Sequence, residues 1–250
     1  QRRISTIKRF LLPLLVLMAA TPFVLTHQQT SQQLADINAV AREQAQALVR
    51  LLNVTDELIG ERADSAMRLL KEHAHALGEP IVSGSITMAG RPVPNLFMGP
   101  ASVAYQDGLV DTVSAMAGGT ATLLVKSGSD FIRVATNVRQ AGGARAVGTL
   151  LDPRGRAVEA LGHGRAFRGV VEILGEPYIT RYEPMLNQAG EVIGAYYVGF
   201  KVDMKVVRDS VQSIRQLKTG FAAILDADDE IRFLSSHVTS EKVETLLKTR

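Results

Sequence analysis

The chain has no cysteine in its 250 residues. That excludes disulfides, thiolate metal sites and cysteine nucleophiles. An excess of one charge is lacking too. The formal net charge is +3, and Arg2, Arg3, Lys8 and Arg9 all precede the first long apolar stretch. The remainder is near neutral, so the charge balance points to no nucleic-acid partner. Catalytic spacing is missing as well. The five histidines (His27, His73, His75, His163, His237) have no ligand spacing, and His73 and His75, two apart on a helix, face different ways. Gly162-His163-Gly164 has Phe167 where a dinucleotide loop needs its third glycine. Gly143 to Thr149 lacks the lysine of a phosphate-binding loop. Asp226, Asp228 and Glu230 imitate the start of a calcium loop, but Ile231 stands at the glycine position and His237 at the closing glutamate. No metal, no cofactor and no enzymatic activity are expected of this chain.

What is present begins with an uncharged run, Phe10 to Thr26, behind the basic cluster. Its length is near the lower limit for crossing a bilayer as helix, and the basic flank places the N-terminus in the cytoplasm. The expectation is a cytoplasmic stub over 1–9 and a transmembrane helix over 10–26, with everything after about residue 27 beyond the membrane. A cleaved signal peptide is the rival, weakened because no A-x-A site follows. From Thr30 to Leu77 there is no proline, and Gly60 is the only glycine. Leu34, Ile37, Ala41, Ala45, Leu48, Leu52, Leu58, Ile59, Ala63, Ala66, Met67 and Leu70 recur mostly three and four apart, as on one helical face. This predicts a helix over 30–77, a rod of about 65–75 Å able to pair with a twin. Two helices broken at Gly60 are the alternative.

The fold class expected is α+β: a long N-terminal helix carrying antiparallel-sheet modules. Residues 78–201 form the first module. Gly78 to Pro100 reads as loop or short strands, and Val103 to Met116 as a short helix. Thr120–Val125 and Phe131–Val138 form a hairpin around Lys126 to Asp130. A helix follows at Ala157–Leu161. Strands at Ala166–Ile173, Pro177–Pro184 and Val192–Phe200 form an antiparallel meander, with the helices on one face of the sheet. Residues 202–218 read as a connecting helix. Residues 222–238 can be laid without gaps on 122–138, strand on strand and turn on turn. Residues 219–250 are therefore expected to start a second, similar module that is cut short, on the same side of the membrane. Gln1 is no start methionine and Arg250 falls inside a structured pattern, so the chain reads as a piece of a longer protein.

Strand periodicity picks out the candidate site. A period of two puts Tyr178, Thr180 and Tyr182 on one face of their strand, and Tyr197 shares a face with Ala195 and Gly199 on the next. Three of the five tyrosines thus fall where they could line a small pocket, offering apolar rings and hydroxyls. Arg133 sits in the apolar strand FIRVATNV beside Thr136; if buried, it needs an anionic partner or ligand. Arg133, Thr136, Tyr178, Thr180, Tyr182 and Tyr197 are the candidate ligand-binding residues. Core packing of the tyrosines and a surface-facing Arg133 are the alternatives.

These segments resemble the Cache family of extracytoplasmic sensor domains, in the double form where a Cache-three module precedes a Cache-two module. The resemblance lies in Gly118 to Thr122, Phe131 to Val138, Arg145 to Asp152, Phe167 with Gly169, Ile173 to Gly175, Tyr178 with Thr180, Tyr182 to Pro184 and Val192 to Phe200. It extends over roughly 34–250 and is most specific over 118–200. It implies PAS-like sheets hung on a long helix, with the first module membrane-distal. It also implies a small-molecule ligand sensed outside the cell and a signal passed across the bacterial inner membrane. The expected protein is the periplasmic sensing part of a homodimeric receptor of chemoreceptor, sensor-kinase or nucleotide-cyclase type. Its ligand is anionic if Arg133 faces the pocket. A ligand-free dimerisation scaffold and a membrane-tethered envelope enzyme are the alternatives.

Overall fold

The structure, a computed structural model, describes residues 29–173, 176–202, 205–213, 221–225 and 231–247. The expected membrane span over 10–26 and the stub before it lie outside the described residues. Among the described residues no helix is long and apolar enough to cross a membrane. The chain divides into two units. One is Leu58–Val202; the other combines the described residues up to Glu57 with those after Asp203.

The first element, α1 (Gln29–His75), runs unbroken through Gly60. A Cβ at Gly60 would meet the Arg168 guanidinium, the far end of a flexible side chain that could move aside. Within the larger unit α1 buries Ala63, Ala66, Met67, Leu70 and Ala74, a single stripe at helical spacing. Burying Met67 and Leu70 contributes roughly 2 kcal/mol each. Leu58, expected on the same stripe, lies outside it and is exposed.

Gly78 to Pro100 proves to be more than loop. β1 (Pro80–Met88) and β2 (Arg91–Met98) pair antiparallel, and β3 (Ala101–Ser102) pairs with β2. The two-residue turn Ala89-Gly90 has positive φ at both positions, which closes a tight hairpin. Serine, glycine and proline within these strands mask the alternation, and only Met88, Val93, Leu96 and Met98 are fully buried apolar anchors. The following helix, α2 (Gly108–Ala117), starts later than expected. Tyr105 at φ 60 interrupts any helix from Val103.

The main sheet has five strands: β4 (Thr120–Ser127), β5 (Asp130–Thr136), β6 (Phe167–Ile173), β7 (Glu176–Leu186) and β8 (Val192–Lys201). Their order is β5-β4-β8-β7-β6, with every neighbour antiparallel. The meander β6-β7-β8 is as expected. α3 (Arg156–Gly162) precedes β6. The helices do not share one face. On one side Leu123, Val125, Tyr196 and Val198 pack against α1, α2 and β2; on the other Leu124, Phe131, Tyr182, Ala195 and Tyr197 pack against Ala157 and Leu161 of α3. The cause is β8, buried continuously from Gly194 to Phe200, so both faces need a cover.

β7 is tied to α1 through its alternate side chains. Arg181 lies 2.7 Å from Asp64 and 3.0 Å from Glu183, and Lys71 lies 2.7 Å from Glu183. Burial pushes the Glu183 carboxyl up, but hydrogen bonds from Lys71 and Arg181 outweigh it and hold the group below its ordinary range.

The cover of the second face is pinned by Arg145. Its Nη1 and Nη2 donate to the two carboxylate oxygens of Asp111 at 2.8 Å, Nη1 also donates to the Thr136 carbonyl at 2.9 Å, and Nε lies 3.2 Å from Asp107. The Asp111 hydrogen bond raises the Arg145 pKa against the cost of its burial. Arg145→Ala is expected to lower the unfolding free energy by about 2 kcal/mol, a value between those of exposed and buried pairs. Arg145→Lys should recover less than half, because an ammonium cannot reproduce the fork. Urea unfolding of the two variants measures this; equal stability of wild type and Arg145→Ala would remove the clamp from the account.

The smaller unit contains α4 (Lys205–Ser213), β9 (Ala223–Leu225), β10 (Ile231–Leu234) and α5 (Ser240–Leu247). Phe221, Ala223 and Val243 form its core with Ile231, Leu234 and Val238 against them. β9 pairs antiparallel with β10, with Ile224 opposite Phe233. In the first hairpin Leu124 is opposite Arg133, and both ladders shift register beside that pair. The two hairpins share that one pair but not the bulge, which skips Val134 in the first and Arg232 in the second.

Candidate functional site

Pairing gathers all six candidate residues on one face of the five-stranded sheet. Tyr178, Thr180 and Tyr182 on β7 lie opposite Lys201, Gly199 and Tyr197 on β8, and opposite Val171, Gly169 and Phe167 on β6. Tyr197 continues across to Thr122 on β4, and Thr122 to Thr136 on β5. Arg133 joins them only through a bulge. Arg133 and Thr136 are three apart, which in a regular strand sets them on opposite faces. The register shift leaves Val134 unpaired and places Arg133 opposite Leu124, on the face of Tyr197.

Hydrogen bonding then divides the six. The Thr136 hydroxyl, fully buried, bonds the Thr122 hydroxyl at 2.6 Å and accepts from the Val138 amide at 3.1 Å. Thr180 donates to the Gly169 carbonyl at 2.8 Å. Thr120 gives its proton to the Gly199 carbonyl, which leaves the Tyr197 hydroxyl, 3.0 Å away, as the donor to Thr120. The Tyr197 hydroxyl lies over Gly199, where any Cβ would overlap it. These three hydroxyls have internal partners already. The other three residues hold spare capacity. Arg133 donates from Nη1 to the Thr149 hydroxyl at 3.0 Å and the Leu150 carbonyl at 2.6 Å. It has no carboxylate partner among the described residues. The Tyr182 hydroxyl is buried without any partner. Tyr178 is half-buried against the same cluster.

The Tyr182 ring lies 4.8 Å from that of Tyr197 and 6.1 Å from that of Phe167. Burial pushes the phenols of Tyr182 and Tyr197 far above their ordinary value, and the Arg133 charge opposes the shift at both. Burial also pushes Tyr196, on the opposite face, up to about 12. A folded pKa above the unfolded one means that stability is fully present below the ordinary value of 10 and is lost as pH rises through the folded value. Phenolate absorbance of these three tyrosines is therefore expected only together with loss of circular dichroism. Their ionisation in a still-folded protein would contradict the burial.

Two open clefts flank this face. One, about 620 Å³, is lined by Lys126, His163, Glu191 and Val192 among others; the second, about 250 Å³, by Arg156, Glu159, Arg165 and Phe167 among others. None of the six candidate residues lines either cleft, and Val138, Ala146, Leu151, Ala157 and Leu161 pack against the hydroxyl-bearing face. Thr120, Thr122, Thr149 and Phe167 touch the candidate residues and were not among the candidates read from the sequence. The signal was available for the first two, alternate positions of the strand TATLLV. Thr149 lay in a stretch without periodicity. Among the described residues no group of three histidines or acids is placed to hold a metal.

No curated protein is similar enough to the chain to count as a match. A family model does match, over residues 27–245: it is the Cache 3/Cache 2 fusion domain, and the chain belongs to that family.

Proposed function

We propose that this chain is the ligand-sensing part of a transmembrane signalling receptor, and that its sheet face binds a small carboxylate. Cache domains are extracytoplasmic sensor modules of such receptors and bind small molecules. The observation that carries the ligand class is the pairing of an arginine without a carboxylate and a buried phenol without a partner on one sheet face. An orphaned buried hydroxyl costs free energy until an acceptor arrives, and a half-buried guanidinium that bonds through Nη1 alone keeps donors to spare. A carboxylate supplies acceptor oxygens to both. One cation favours one negative charge; a phosphate dianion would bury a surplus. Arg133 binds the anionic group, Tyr182 and Tyr178 orient it, and Thr136, Thr180 and Tyr197 hold the strands that carry them. The unit from Leu58 to Val202 is the first sensing module, and residues after Asp203 begin the second.

In this reading residues 10–26 anchor the chain in the inner membrane with a cytoplasmic N-terminus, and α1 pairs with its twin in a homodimer. The ligand selects between two arrangements of that dimer by its differential affinity for them. Whether the output is chemotactic, a kinase or a nucleotide cyclase belongs to other parts of the receptor. The test is a thermal-shift screen of the intact chain with small mono- and dicarboxylates, followed by calorimetry. A concentration-dependent rise in midpoint is expected, because a ligand that binds only the folded state stabilises it by mass action. A well-folded protein that responds to no carboxylate would instead favour the ligand-free scaffold.

A further inference from the structure

We propose that the cleft between α3 and β6 is an outer anion-binding site through which the carboxylate reaches the sheet face, with the Phe167 ring as the partition. This rests on the sensing role of the sheet face and adds its route of entry and a second set of specificity residues. The cleft, about 250 Å³, is lined by Arg156, Glu159, Ala160, Arg165, Ala166 and Phe167, two arginines against one acid. Five other arginines of this unit are engaged, while Arg154 is exposed outside the cleft. Arg145 grips Asp107 and Asp111, Arg168 and Arg181 pair with Asp64, and Arg91 and Arg139 donate to backbone carbonyls. Arg156 and Arg165 make no ion pair among the described residues. The Arg156 guanidinium lies 6.0 Å from the Phe167 ring centroid. Two guanidiniums against one carboxylate leave a net positive charge in a concave site, which concentrates anions there, and their planar forks suit carboxylate oxygens.

Phe167 faces two ways. Its outer side borders the cleft; on its inner side it stands opposite Tyr182 in the β6-β7 register, ring against ring at 6.1 Å. Tyr182 carries the buried hydroxyl that has no partner, and the charge of Arg133 is felt there. One aromatic side chain thus separates the outer cations from the inner donors. Rotation of that side chain opens the route without breaking the ladder, since β6 bonds through its backbone.

The chain has no tryptophan, so its emission comes from five tyrosines. In a background with Tyr105→Phe and Tyr178→Phe, the buried Tyr182, Tyr196 and Tyr197 remain. Quenching of their emission by iodide, an anion, is compared with quenching by neutral acrylamide at low ionic strength. Arg156→Glu with Arg165→Glu is expected to reduce iodide quenching about threefold or more and to leave acrylamide unchanged. The same charge change at exposed Arg50 and Arg139 should do much less. Phe167→Ala is expected to raise quenching by both agents; if it does not fold, Phe167→Leu is read in its place. Equal iodide quenching before and after reversal at Arg156 and Arg165 overturns the outer site. Unchanged quenching in the folded Phe167 variant overturns the partition. Neither readout uses the sensed ligand, so such a failure leaves the Arg133 assignment standing, and a failure at Arg133 leaves the anion site standing.

Discussion

Arg133→Ala is expected to weaken carboxylate binding at least about a hundredfold, a loss of about 2.7 kcal/mol, while lowering the unfolding free energy by only about 1 kcal/mol. The asymmetry follows from what the guanidinium does in each state. In the folded protein it donates from one nitrogen to Thr149 and Leu150, bonds that water can partly replace at a half-buried position. In the complex it meets the only formal charge of the ligand on a face otherwise lined by Leu124, Phe131 and Ala195. Removing one partner of a desolvated, hydrogen-bonded charge pair costs about 2–5 kcal/mol. Arg133→Lys should recover part of the affinity, because it restores the charge without the planar fork. Calorimetry of the three proteins against the best carboxylate from the screen decides the matter. Full affinity in a folded Arg133→Ala protein would assign the ligand to another surface.

Tyr182→Phe is expected to move stability and affinity in opposite directions. Its hydroxyl is buried without a partner, so deleting it relieves a desolvation cost and should raise the unfolding free energy by about 1 kcal/mol. The same deletion removes a donor that the carboxylate would meet, and should weaken binding about tenfold, or about 1.4 kcal/mol. Tyr196→Phe is the control. Its hydroxyl is also buried and unpartnered, but it faces α1 on the opposite side of the sheet. It should gain similar stability and lose no affinity. If Tyr182→Phe loses stability, the hydroxyl has a partner and the argument fails; if both variants bind as wild type, Tyr182 belongs to the core alone.

Some of the site was legible because its signal is local. In β6, β7 and β8 side chains alternate and tight turns separate the strands, so faces follow from counting. Tyr178, Thr180, Tyr182 and Tyr197 were placed on one surface before any pairing was known, and the ladder between β7 and β8 sets Tyr182 directly opposite Tyr197. Counting fails for Arg133 and Thr136. Three apart, they share a face only because Val134 bulges, and a bulge depends on the partner strand. For β1 and β2 the sequence left loop and short strands both open, because their apolar anchors are few and their pairing rather than their composition makes them strands. The stripe on α1 predicted a buried face, yet Leu58 lies off it and Gly60 marks a crowded approach by Arg168 rather than a break.

The sequence by itself determined the α+β class and the meander, because periodicity and turn residues are properties of neighbouring positions, and its motifs carried the resemblance to the family. The tertiary structure alone decided that helices cover both sides of the sheet, that Arg145 locks the cover to Asp107 and Asp111, and that Thr136, Thr180 and Tyr197 spend their hydroxyls internally while Tyr182 does not and Arg133 bonds through Nη1 without a carboxylate. Which donor finds an acceptor depends on chain segments tens of residues apart, and no local pattern encodes that meeting.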